Sequence, residues 1–531
     1  MAPSDVPTPR PPLALEIRTG DPREADADVL VVTVPVAADG ATSLPAPLAA
    51  LDAALDGDLA AHLALGRVGR PGAATREIPT RERVAVPRVL LHGRPEGGGA
   101  DAARLAGAEL GRALAPLGAR RVAWVGGAED APDVADALLT GLASGAHRAW
   151  SEARDDDRPA GVEQVTWWTD AAAAERLAGP LRRAAATHDA VAWARDLVDA
   201  PANRMTPDDL ARAAEAMGRE VGLEVAVYDE AWIDAHGLGA LAAVGRGSAH
   251  PPRLVVLRTP EDAVPADAPT LAWVGKGVTF DSGGLSLKGR DAMPPMKGDM
   301  AGAAAVLGAT RAVAQERPDV RLVSVVACVE NMPDGAAYRP SDVVRASDGT
   351  AIEIVSTDAE GRLALADALR HAASFAPDAT IDVATLTGGA VAALGRGTAA
   401  AAFGDDAGWM AQVRDAARAS GERVWPMPRY EAYRTALASR VADLKNGGVK
   451  EGSAGVAAVF LERFAPRPWV HLDVAGMGAV ETRTGTWNPG ATGYGVRLLA
   501  EVARDVATRG VRAEGRGMEG ETGTEGVPKD G

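Results

Sequence analysis

From Leu13 onward the chain alternates short β-branched or apolar runs with alanine-rich stretches. That alternation restricts it to layered α/β architectures, in which helices cover the faces of a sheet. In the first part the strand-like runs are Leu13–Ile17, Val29–Val34, Val84–Leu91, Val122–Val125 and Val162–Trp168. Residues 171–199 then predict one long helix, Ala171 to Asp199, stopped at Ala200-Pro201 because proline cannot extend a helix and restricts the residue before it. Beyond it the expected strands are Leu223–Tyr228, Leu254–Leu257, Leu271–Val274, Leu322–Val329, Ile352–Val355, Thr380–Ala384 and Trp469–Asp473. Helices fall between them, among them Met300–Gln315 and Leu363–Ser374. The expected organisation is an N-terminal α/β domain over 13–170, a linking helix over 171–199 and a second, chemistry-bearing α/β domain over 200–510. Residues 1–12 carry five prolines and residues 511–531 are Gly- and Glu-rich, so both read as disordered tails rather than structure.

Aromatics are only 4% of the 531 residues, so the core must be built from Ala, Val and Leu. The net charge of −16 argues against nucleic acid as a main partner, since phosphate binding needs a basic face. Cys328 is the only cysteine and lies in an apolar run, which excludes an internal disulfide and predicts a buried small hydrophobe. No apolar run reaches the length of a membrane span, and the simplest location is the cytoplasm.

The chemistry concentrates in two places. Ser356-Thr357-Asp358-Ala359-Glu360-Gly361-Arg362 carries two carboxylates and a guanidinium at period two, which an extended segment would put on one face. Such a cluster costs free energy unless opposite charge compensates it, and a hard cation is the simplest compensator. Upstream, Val274–Gly284 contains Lys276 and Asp281, followed by Lys288 and by Met296-Lys297-Gly298-Asp299. Taken alone, Asp299 reads equally well as a carboxylate at a helix N-terminus, and the lysines as surface residues. Other site types fail on spacing. Gly275-Lys276 lacks the Ser/Thr and the upstream Gly of a phosphate loop, Gly284–Lys288 lacks the last Gly of a nucleophile elbow, and none of the eight histidines forms His-Glu-x-x-His. A carboxylate-rich site remains, suited to Mg, Mn or a carboxylate-ligated Zn pair.

These segments closely resemble the leucyl (cytosolic) aminopeptidase family. The resemblance extends in order over about residues 190–505. It includes Glu330-Asn331-Met332-Pro333, Ala384-Thr385-Leu386-Thr387-Gly388, Trp425-Pro426-Met427-Pro428, Ala442-Asp443-Leu444, His471–Gly476 and Gly490-Ala491-Thr492-Gly493. It implies a catalytic domain with a mixed central sheet flanked by helices, a homohexamer and an exopeptidase acting on the N-terminal bond of peptides. It further implies two divalent ions, Zn or Mn first and Mg or Co as other candidates. By the same resemblance Asp281 and Glu360 bridge them, Lys276 and Asp299 complete one shell and Asp358 the other. Lys288 would contact the scissile carbonyl oxygen, and Arg362 would hold a bicarbonate acting as general base. Met296, Thr385, Gly388 and Ala475 would line the pocket for the first side chain. The implied roles are chemically coherent, because paired ions activate water and a charged lysine stabilises an oxyanion.

The chain departs from the family pattern at Ser356, where Asn is usual, at Ser341, where Gly is usual, and at Gly478, where a larger apolar residue is common. The last would widen the pocket. A Cys-Gly-type dipeptidase, a DNA-binding member and an inactive scaffold stand as alternatives to a general aminopeptidase. The acidic charge weighs against the second and the intact ligand set against the third.

Overall fold

The computed structural model describes residues 13–37, 44, 48–66, 68, 75–95, 98–125, 131–149 and 161–514. The expectations for residues 1–12 and 515–531 lie outside that range. Residues 511–514 are described: Arg512 N donates to Gln412 Oε1 at 2.9 Å and Glu514 N to Asp406 Oδ1 at 3.2 Å, along the helix Ala407–Ser420.

Two sheets organise the chain. The first has six strands in the order Ala14–Arg18, Gln164–Trp168, Arg121–Val125, Val29–Val36, Arg88–Pro95 and Thr75–Pro79. All neighbours run parallel except the last pair, which is antiparallel. The run expected at Val84–Leu91 becomes a strand only from Arg88, and Thr75–Pro79, whose alternation is too short and polar to stand out, adds an edge strand. Two helices, Gly99–Leu114 and Pro132–Ala146, lie on this sheet with their backbones in contact. A Cβ at Gly107 would meet Leu138 O at 2.1 Å, and one at Gly145 would meet Ala108 O at 2.0 Å, so the approach depends on glycine at both positions.

The second sheet has eight strands, in the order Val424–Pro426, Ala400–Gly404, Trp469–Asp473, Ala379–Ala384, Thr270–Asp281, Arg321–Asn331, Arg253–Arg258 and Glu224–Tyr228. It is mixed, as expected, with parallel pairing at its centre and antiparallel pairs toward both edges. Period two sorts its central strand between two cores. Leu271 and Trp273 face the helices Ala301–Glu316 and Val496–Arg509, whereas Ala272 and Val274 face Gly361–Ala373. Cys328 is fully buried, as its apolar neighbours predict.

The helix Ala171–Asp199 has the predicted bounds, with Asp170 capping its start through Ala173 N. It serves both sheets: Leu177 and Leu181 pack in the core of the first, and Ala190 to Val198 in that of the second. Among the described residues no helix is long and apolar enough to cross a membrane.

Candidate metal centre

The central strand Thr270–Asp281 carries Lys276 and Asp281. Five residues apart, they would point to opposite faces of a regular strand. The register against Arg321–Asn331 pairs Val278 with Val329 and Phe280 with Glu330, leaving Thr279 unpaired. This bulge shortens the effective spacing to an even step and turns both side chains toward one site. The sequence pattern places these residues after a strand; they lie within one, because the strand continues to Asp281.

The second cluster also differs from expectation. Residues 356–360 form a turn, not an extended segment, and Arg362 stands in the first turn of the helix Gly361–Ala373. Asp358, Glu360 and Arg362 therefore do not share a face by strand alternation. Helix entry brings them together instead, with Glu360 in the helical conformation (φ −73°, ψ −38°) at the N-cap. Gly361 leaves room for the lysine at this step: a Cβ there would lie 2.6 Å from Lys276 Nζ. Asp299 is likewise not a helix cap. The helix starts at Ala301 after Met300, and the Asp299 carboxylate turns to Lys276.

Lys276 Nζ lies 2.9 Å from both Asp299 Oδ2 and Glu360 Oε1, and donates to Thr385 O at 2.9 Å. Lys288 Nζ lies 2.7 Å from Asp281 Oδ2 and 2.5 Å from Asp358 Oδ1. One oxygen each of Asp281, Asp358 and Glu360 falls within 4.8 Å of the others. Lys276, Asp281, Asp299 and Glu360 are buried, Lys288 is half-buried and Asp358 is exposed. Burial raises the carboxyls of Asp281 and Asp299, and Glu360 adds to the rise, against the pull of Lys288 and Lys276 at Asp281 and of Lys276 at Asp299. Burial acts the same way on Glu360, but Lys276 and Lys288 outweigh it and hold that carboxyl below its ordinary value. For both lysines burial works downward, and their carboxylate partners overcome it and raise them.

Four carboxylates thus face two ammonium groups, a surplus of negative charge in a mostly buried site. The carboxylate oxygens fit hard or borderline divalent ions, and Lys276 would join them only as a neutral amine, its proton displaced by the ion. Arg362 is buried beside it. Its Nη1 donates to Asn446 O at 2.7 Å, while its Nε is buried without a partner among the described residues, and burial pushes its guanidinium down to about 10. A small oxyanion fits such a donor.

Thr385 joins the pocket candidates to this cluster: its hydroxyl donates to Asp299 Oδ1 at 2.7 Å. Asp473 ties Thr387 to Ala475, accepting from Thr387 Oγ1 at 2.6 Å and from Ala475 N at 3.2 Å. Gly388 opens the helix Gly388–Leu394, with open space where a Cβ would stand. Met296 lies on the 3-10 turn Pro294–Gly298 leading to Asp299.

Charge patterning alone misses the residues that hold the ligands. Asn331 Nδ2 donates to Asp281 Oδ1 at 2.8 Å and to Thr357 O at 2.9 Å, and the Tyr338 hydroxyl donates to the same carbonyl at 2.8 Å. Their only signal in the sequence is a place in or near a quoted motif.

A model described as "Cytosol aminopeptidase family, catalytic domain" matches residues 192–500. The chain belongs to the cytosol aminopeptidase family. It is a metal-dependent aminopeptidase, a hydrolase of the exopeptidase class. A probable cytosol aminopeptidase of Methylorubrum extorquens is 43% identical over 383 residues, 72% of this chain and 76% of that protein. One of Aquifex aeolicus is 45% identical over 319 residues, 60% of this chain and 64% of that one. Among solved structures, the bottromycin maturation enzyme BotP superposes with a TM-score of 0.77 at 34% identity, covering 91% of this chain and 100% of BotP. BotP has also been solved in complex with Mn, at 35% identity.

Proposed function

We propose that this aminopeptidase holds two divalent ions on Lys276, Asp281, Asp299, Asp358 and Glu360, with manganese or zinc the best candidates and magnesium or cobalt compatible with the same donors. The observation that carries the reading is the surplus of carboxylates over ammonium groups around Lys276 and Lys288. The Mn complex of BotP favours manganese. When bound, such ions supply an activated water, a polarised carbonyl and a seat for the neutral N-terminal amine.

The chain's own groups do the rest. Lys288, half-buried and reaching between Asp281 and Asp358, donates to the oxyanion that develops on the scissile carbonyl. Arg362 would hold a bicarbonate on its Nε, which has no partner among the described residues, and that anion would supply a general base. Thr385, Gly388, Ala475 and Met296 line the pocket for the first side chain. Gly478 packs closely beside that pocket: a Cβ there would lie 3.0 Å from Ala301 Cβ and 3.3 Å from Thr385 Cγ2.

The substrates are peptides with a free N-terminus. The family resemblance supports a homohexamer in the cytoplasm. It also supports the division into residues 13–170 and 200–510 joined by the helix 171–199.

The test is turnover of an aminoacyl-p-nitroanilide panel with and without chelator, followed by add-back of Mn, Zn, Co or Mg. The expected result is chelator-sensitive release from free N-termini, absent on N-acetylated substrates. Release that ignores chelator would sink the two-ion assignment.

A further inference from the structure

The segment after Asp473 runs past the candidate pocket and then leaves it as a hairpin. Gly478 stands against Thr385, as its Cβ position shows, and Thr385 bonds the candidate ligand Asp299. From there Ala479–Val480 pairs antiparallel with Gly490–Ala491, and a single bridge joins Thr484 to Trp487 near the tip. A two-stranded ladder this short cannot fix its own geometry. Its shape is set by what it touches at each end.

At the base, Thr492 holds Met477 and Gly478 through hydrogen bonds of 2.5 Å to Met477 O and 3.1 Å to Gly478 O. Asp199, the last residue of the long helix, accepts from Ala491 N at 2.9 Å, and its carbonyl accepts from Lys297 on the segment that carries Asp299.

At the tip the supports come from the first sheet's helices. Arg112 Nε donates to Asn488 Oδ1 at 2.9 Å, and its Nη2 to Gly485 O at 2.8 Å. Asn488 Nδ2 donates to Gly145 O at 2.9 Å, and Ser144 Oγ to Thr486 O at 3.2 Å. Arg112 and Gly145 belong to the two glycine-contact helices, so the points that grip the tip are fixed to one another by backbone packing. Trp487 is buried beneath the grip, and Thr484 packs over Gly397 on the other side.

We propose that Arg112 and Asn488 are positioning residues for substrate selectivity. By fixing the tip of the 479–491 hairpin they fix its base, the wall that faces the substrate's first side chain at Gly478. The N-terminal part of the chain would then tune which first residue is accepted without touching substrate. This rests on the pocket assignment made above.

The experiment compares Arg112→Met, Asn488→Ala and Arg112→Lys, as full-length metal-loaded enzyme, on leucyl- and alanyl-p-nitroanilide. Gly478→Ala serves as a direct change to the wall. The expected result for Arg112→Met and Asn488→Ala is a KM for the leucyl substrate raised about tenfold with kcat held within about twofold, and a smaller rise for the alanyl substrate. Arg112→Lys, which keeps one donor, should recover part of the loss. Metal content should stay at the wild-type level in all of them. If Arg112→Met does not fold, Asn488→Ala, a change on a surface hairpin, carries the test alone. A change in the leucyl-to-alanyl ratio for Gly478→Ala but for neither tip variant would overturn the inference and leave the pocket assignment standing. No change in any variant would overturn both.

Discussion

Thr385 donates its hydroxyl proton to Asp299 Oδ1 across 2.7 Å, and its carbonyl accepts from Lys276 Nζ at 2.9 Å. One residue of the candidate pocket thus orients two candidate metal ligands. Thr385→Val keeps the shape and removes the donor, so the Asp299 carboxylate loses its orienting bond. Metal affinity should fall about 10–100-fold, the usual cost of losing a bond that orients a ligand. Chelator-competition titration measures it. Unchanged affinity would mean that Asp299 does not ligate.

Glu360 and Lys288 should separate binding from catalysis. Glu360→Ala removes a candidate bridging carboxylate and should abolish turnover together with metal retention. Lys288→Ala should keep its metal while kcat falls by about 10²–10³. Metal analysis of both purified variants beside their kinetics decides the matter. Metal loss from the lysine variant would count against its role at the oxyanion.

Gly361→Ala places a methyl where Lys276 Nζ and Cε stand, 2.6 Å away. The backbone there is ordinary helix, so the fold should tolerate the change, and the lysine must move. Metal content and kcat should drop sharply with a Tm near wild type. A variant with full metal content would show that Lys276 is not needed at the centre.

Ser341 adopts φ +80°, where a Cβ is strained, in a turn whose N–H donates to Ile354 O at 2.7 Å. Ser341→Gly should relieve that strain and stabilise the protein by about 1 kcal/mol, read as a rise in denaturant midpoint. A lower midpoint would refute the account.

Burial pushes the Asp189 carboxyl up to about 6 while its Oδ1 accepts from Leu13 N at 3.0 Å. A folded-state value above the unfolded one means that the folded protein binds this proton more tightly. Its ionisation therefore costs stability as pH rises from the unfolded value, about 4, through 6. Asp189→Asn keeps an acceptor for Leu13 and removes the buried charge. It should stabilise the protein by about 1–3 kcal/mol at pH 7 and by almost nothing at pH 4. Urea unfolding at the two pH values tests this, and an equal effect at both would exclude ionisation as the cause.

The sequence alone determined the layered α/β class, because strand and helix periodicities are local. It determined the long helix to the residue, because Asp170 and Pro201 punctuate it by local sterics and hydrogen bonding. It also marked out the charged residues of the site, since buried charge of one sign demands a partner wherever it falls. It misjudged how those residues meet. Lys276 and Asp281 share a site only because Thr279 is squeezed out of the ladder, and Glu360 and Arg362 only because the chain turns into a helix at Gly361. A bulge and a helix entry depend on which strand lies alongside and what packs beneath, and no local pattern encodes that. The supports were equally invisible: Asn331 on Asp281, Asp473 between Thr387 and Ala475, and Arg112 on a hairpin more than 370 residues away in the chain. Spacing cannot reveal such pairs, because their partners are chosen by packing. The amino-acid sequence supplies the groups and the local conformations; the tertiary structure alone decides which distant groups come within bonding distance.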